Sequence, residues 1–139
     1  MALERTLSIV KPDAVAAGNV GAIISMIEGA GLKIRALRMQ HLIRREAEGY
    51  YEEHRGKGFF EELIAFMTEG PVVMMCLEGE GAIQKWRDLM GSTNPANAAE
   101  GTIRKKFGSS VGRNATHGSD APASAAREIG WFFRGSEIL

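Results

Sequence analysis

The order of local signals along this 139-residue chain predicts an α/β (α+β) fold, with a ferredoxin-like βαββαβ core in which helices pack on an antiparallel four-stranded sheet. Three observations carry the prediction. Short runs rich in apolar and β-favouring residues recur at 5–10, 32–42 and 71–79, with a fourth brief one at 114–117. Between them, apolar residues fall at helical spacing. Finally, 45% hydrophobic content in a chain of this length suits one domain spanning 1–139, which buries roughly two-thirds of its unfolded surface.

The first strand is "RTLSIV" (5–10), stopped at Lys11-Pro12, where proline removes a backbone donor and leaves a lysine at the strand tip. In "NVGAIISMIEGAG" (19–31), Asn19 is a helix cap, Val20, Ile23, Ile24 and Ile27 share a face, and Gly29 and Gly31 end the helix. "LKIRALRMQHL" (32–42) alternates apolar and basic residues as a half-buried strand does, with the period breaking around Ala36 and Leu37. "RREAEGYYEEH" and "FFEELIAFM" are two helical pieces joined by "RGKG". "PVVMMCLEG" is apolar without alternation, which predicts a strand buried on both faces. "GAIQKWRDLMG" is a helix closed by Gly91. From 92 to 112 periodicity fails apart from a short helical possibility at "TIRKKF", and an irregular stretch of about 20 residues in a small domain implies a functional loop. A short strand at "NATH" and a last helix capped by Asp120, with Pro122 in its first turn, complete the order.

Seventeen basic residues balance seventeen acidic ones, so the net charge gives no firm signal for nucleic acid or membrane surfaces, and any anion site must be local. The single cysteine, Cys76, lies in an apolar run and reads as a buried, inert thiol. "MALERTLSIV" has no signal-peptide character and no stretch of about 18 apolar residues occurs, which predicts a soluble, cytoplasmic protein.

His117 stands among Thr116, Gly118, Ser119 and Asp120, an unusual setting for a core histidine. On the last helix Glu128 borders the inward face marked by Ala125, Ile129, Phe132 and Phe133, where a carboxylate needs a partner. An imidazole held at one nitrogen by a carboxylate keeps the other free as acceptor or nucleophile. From these two residues alone, a solvated glutamate and a turn histidine is the simpler reading. The loop shifts the balance. Lys11, Arg87, Thr93, Arg104 and Asn114 are donors at strand tips, helix ends or loop positions, a set that suits a polyphosphate. No G-x-x-x-x-G-K-[ST] or G-x-G-x-x-G loop occurs, so such a site uses another scheme. The histidines and Cys76 lack metal-ligand spacing, although magnesium could arrive with a polyphosphate. His117, Ser119 and Asp120 are too close in sequence for a hydrolase triad.

"ERTLSIVKPDAV", "GPVV", "LEG", "GSTNPANAAEGTIR", "VGRNATHGSD" and "EIGWFF" together resemble nucleoside diphosphate kinase in its short bacterial form, from about residue 3 to about residue 137. The resemblance implies ping-pong transfer of the γ-phosphate of a nucleoside triphosphate to a nucleoside diphosphate through phosphohistidine at His117, with broad base specificity. It implies that Glu128 orients His117, with Ser119 and Tyr51 hydrogen-bonded around it. It also implies that Lys11, Arg87, Thr93, Arg104 and Asn114 hold phosphates and sugar, that Mg2+ bridges the phosphates, and that Phe59 and Val111 sandwich the base. Lys105-Lys106 and Gly58 depart from the family pattern, and the chain ends at Leu139 without the longer extension of many members. The implied partners are therefore nucleotides and further copies of the chain, as a dimer-based tetramer or hexamer. A ferredoxin-like binding module without chemistry is the competing reading; it has no use for an oriented nucleophile.

Overall fold

The computed structural model describes residues 3–139. Its elements are β1 (Leu3–Val10), α1 (Pro12–Ala16), α2 (Val20–Gly29), β2 (Lys33–Gln40), α3 (Arg44–Tyr50), α4 (Phe60–Met67), β3 (Val72–Glu80), α5 (Ala82–Met90), α6 (Ile103–Phe107), β4 (Thr116–Gly118) and α7 (Pro122–Phe132). The strands form one antiparallel sheet in the order β2-β3-β1-β4, the expected ferredoxin-like arrangement.

Pleating divides β3 between two cores. Val72, Met74 and Cys76 join Leu7, Ile9, Ile64, Phe132 and Tyr50 on the face covered by α3, α4 and α7. Val73, Met75 and Leu77 join Ile23, Ile27, Trp86 and Ile103 under α2, α5 and α6. A strand sandwiched between two helical layers has no polar face to show, which explains its unbroken apolar run. Cys76 is fully buried, and burial pushes its thiol pKa up, as an inert thiol requires.

Local differences from the sequence reading have physical causes. The broken period in the second strand is a β-bulge between Ile34 and Ala36, and the strand is shorter than 32–42 at both ends. The short helix α1, which sequence did not suggest, starts on Pro12. Asn19 sits at the cap of α2 without a side-chain cap bond. The final helix is capped one residue later than Asp120: Ala121 is the cap, its N–H donating to Ser124 Oγ at 3.0 Å, while Asp120 accepts from Ser124 instead. The last strand is shifted to 116–118, because Ala115 adopts φ 72°, a left-handed conformation that "NATH" as a strand does not anticipate.

This architecture sets the position of the cleft. β4 pairs only with β1, opposing His117 to Ile9, and the chain at Lys11 adds a bond from its N–H to Ala115 O at 2.8 Å. The end of β1, β4 and the loop from 91 to 115 therefore meet at one corner of the sheet.

Candidate active site

His117 is fixed from behind. Trp86, fully buried on α5, donates its indole N–H to the His117 carbonyl at 3.2 Å. Gly118 packs so closely on Trp86 that a Cβ there would come within 2.5 Å of the indole, so only glycine can follow this histidine. On the side-chain end, Glu128 Oε1 collects the site's donors: Ser119 Oγ at 2.9 Å, Tyr50 Oη at 2.7 Å and His117 Nε2 at 3.1 Å. Tyr50 Oη also lies 2.7 Å from His117 Nε2. Glu128 is buried on α7, and burial works against its charge, but hydrogen bonds from His117, Tyr50 and Ser119 prevail and hold its pKa below the ordinary carboxylate value. The His117 pKa is lowered, first by burial and further by Lys11 and Arg104, with Glu128 opposing. The ring is therefore neutral at pH 7. Because Glu128 is an ionised acceptor, Nε2 carries the proton and Nδ1 keeps its lone pair.

A cluster of cations faces this ring. Lys11 is buried, with Nζ donating to Asn114 Oδ1 at 2.8 Å, and Asn114 Nδ2 in turn donates to Thr93 O at 3.1 Å. Arg104, buried on α6, spends its guanidinium on carbonyls, donating to Gly91 O at 3.0 Å and Thr116 O at 2.9 Å, while its Nε has no partner. Burial, with Arg104 nearby, lowers the Lys11 pKa to about 8, against a weaker upward pull from Asp13. Burial and then Arg87 lower that of Arg104 to about 10. Among the described residues no carboxylate forms an ion pair with Lys11, Arg87 or Arg104. Three clustered positive charges without a direct ion-pair partner make a site that is stabilised by a multivalent anion.

The cleft encloses about 1020 Å³ and is lined by His117, Glu128, Lys11, Arg87, Thr93, Arg104 and Asn114. Phe59 and Val111 lie at its rim, 48% and 56% exposed. The structure thus brings all the sequence-derived donors together with the histidine. Two details differ from expectation or were missed. Tyr51, expected to hydrogen-bond near His117, has a buried hydroxyl without a partner and only presents its ring edge-on, 6.1 Å from the imidazole. Its neighbour Tyr50 makes the bond instead, because α3 ends at Tyr50 and turns that side chain inward onto Phe132 of α7, 4.9 Å between ring centroids. His54, 5.4 Å from the Phe59 ring, also lines the cleft and was not anticipated. Lys105 and Lys106 project from α6 into solvent.

Comparison with known proteins agrees with this geometry. The sequence model of the nucleoside diphosphate kinase family matches residues 4–138. A nucleoside diphosphate kinase of Sorangium cellulosum is 56% identical over 138 residues, covering 99% of this chain and 96% of its own. One from Syntrophotalea carbinolica is 55% identical over 137 residues, covering 99% and 100%. The crystal structure of the Aquifex aeolicus nucleoside diphosphate kinase superposes with a TM-score of 0.98 at 45% identity, covering 99% of this chain and 100% of that one. The halophilic enzyme of Halobacterium salinarum, solved in complex with CDP, gives 0.96 at 40%, covering 99% and 92%. With these matches over nearly its whole length, the chain belongs to the nucleoside diphosphate kinase family, a phosphotransferase acting on nucleoside di- and triphosphates.

Proposed function

We propose that His117 is the residue that carries the phosphate and that it does so on Nδ1. The supporting observation is that Nε2 is the nitrogen held by Glu128 and Tyr50, which directs the proton to Nε2 and leaves the Nδ1 lone pair for the incoming phosphorus. Nδ1 attacks the γ-phosphorus, the bond to the β,γ-bridging oxygen breaks, and the diphosphate leaves with the bonding pair. A second diphosphate then reverses the step with its own terminal oxygen. No proton has to move in either half, so the site's task is to orient the ring and to stabilise charge.

Lys11, Arg87 and Arg104 meet the non-bridging oxygens. Thr93 and Asn114 complete the phosphate and sugar contacts. Phe59 and Val111 hold the base between an aromatic and an aliphatic surface, which reads no base edge, so base specificity is broad. Mg2+ enters with the nucleotide. Among the described residues no cluster of three His, Cys, Asp or Glu could hold an ion by itself, so the phosphates would carry most of its coordination, and Asp120 is one of the exposed acids that line the cleft. When bound, the ion neutralises charge on the β- and γ-phosphates. The enzyme works in the cytoplasm as a homo-oligomer built on dimers. Assembly is supported by β2, an edge strand whose Leu37 and Met39 are 51% and 57% exposed. No helix among the described residues is long and apolar enough to cross a membrane.

His117→Gln tests the reading. Exchange between ATP and GDP should fall to background while nucleotide binding, measured by calorimetry, stays within about threefold. A variant that still exchanged phosphate would reject His117 as the acceptor.

A further inference from the structure

We propose that Tyr50 is a positioning residue for phosphoryl transfer, its hydroxyl bridging His117 Nε2 and Glu128 Oε1. This rests on the reading of His117 as the phosphoryl acceptor.

Tyr50 is 3% exposed, and a phenol buried that far needs partners. It has two on one oxygen, each at 2.7 Å, both shorter than the direct 3.1 Å contact between His117 Nε2 and Glu128. The proton order follows from the donor inventory. Tyr50 has a single proton, and the ionised Glu128 can only accept, so the phenol donates to Glu128 and accepts from Nε2–H. The reverse order would set the carboxylate against an imidazole lone pair. Burial and the neighbouring Glu128 charge keep the phenol proton in place well above its ordinary pKa, so Tyr50 does not exchange protons during the reaction.

The consequence is specific to the transfer step. When the Nδ1–P bond forms, the ring becomes cationic and Nε2–H a stronger donor. Tyr50 then receives a strengthened hydrogen bond and passes the polarisation to Glu128. The other groups facing His117 are Lys11 and Arg104, which oppose its protonation, with Tyr51 edge-on and Ser119 bonded to Glu128. Removing the hydroxyl takes away one of the two acceptors of Nε2–H, so the cationic ring loses support and His117 protonates at a lower pH.

Tyr50→Phe keeps the ring that packs on Phe132 and deletes only the hydroxyl. Rapid-quench phosphorylation by labelled ATP should be about tenfold slower, as expected when an orienting partner of a reacting group is lost. Nucleotide affinity should be unchanged, and the acid limb of kcat/KM should move to lower pH. In parallel, 15N NMR of the wild-type protein should show the Nε2–H tautomer of His117 with a downfield, hydrogen-bonded proton, a readout that needs no variant. Wild-type rate and pH profile in Tyr50→Phe, or a slower rate that tracks weaker nucleotide binding with an unmoved acid limb, would overturn the proposal, as would an Nδ1–H tautomer. Failure of the wild-type protein to label on His117 would instead remove the acceptor assignment beneath it, and the proposal with it.

Discussion

Lys11 shows how the site is maintained at a cost to the unliganded fold. Its folded pKa of about 8 lies below the free-lysine value of 10.5, so between these pH values the unfolded chain binds more protons and stability rises with pH. Below about pH 8 the buried charge is a penalty, of up to about 3 kcal/mol. Lys11→Met should therefore raise the Tm of the ligand-free protein at pH 7, with the gain gone by about pH 10, while nucleotide binding weakens sharply. Thermal denaturation at the two pH values checks this, and a lower Tm at pH 7 would mean that the bond to Asn114 outweighs the burial penalty. The same titration shapes catalysis. Above about pH 8 free Lys11 loses its proton and kcat/KM should fall, whereas bound phosphate holds the proton on and flattens kcat. On the acid side, the lowered His117 pKa should preserve activity below pH 6.5. Residue chemistry was legible in the sequence where the residue type dictates it, as with His117 and the cationic donors. It was not legible at "YY", where both adjacent tyrosines are buried and packing against α7 decides that the Tyr50 hydroxyl, not that of Tyr51, reaches His117 and Glu128.

Among the elements, the loop from 92 to 112 looked irregular because its order comes from contacts distant in sequence. Pro95–Asn97 forms a single 3-10 turn capped by the Asn94 side chain, α6 is five residues long, and Arg104 ties α6 to the carbonyls of Gly91 and Thr116. Periodicity cannot register a segment stabilised in this way. The bulge in β2, by contrast, was visible as a break in alternation, because one inserted residue flips the faces of all that follow. The turn carrying Phe59 can be tested directly. Gly58 has no positive φ, and a Cβ added there would meet nothing within 4 Å, so Gly58→Ala should fit without strain. By restricting the unfolded chain it should raise stability by about 0.4–1 kcal/mol in denaturant titrations. A loss of stability would show that this turn needs glycine's freedom.

Across the whole molecule, the sheet order was legible from the sequence of strand and helix signals, and the two-faced burial of β3 from its unbroken apolar run. What the pattern could not supply was the convergence at one corner, where β1, β4, α6 and α7 deliver residues as far apart as Lys11 and Glu128 to the same cleft. Assembly is also a property of the molecule as a whole. Leu37→Lys on the exposed edge strand should shift sedimentation toward smaller species if copies associate there, and an unchanged distribution would place the interface elsewhere. Whether His117 carries the phosphate is decided by incubating the protein with γ-labelled ATP and magnesium and locating the label. One alkali-stable, acid-labile phosphate is expected on the peptide containing His117, discharged on adding GDP. Label on another residue, or exchange that proceeds with no labelled protein, would refute the phosphohistidine route.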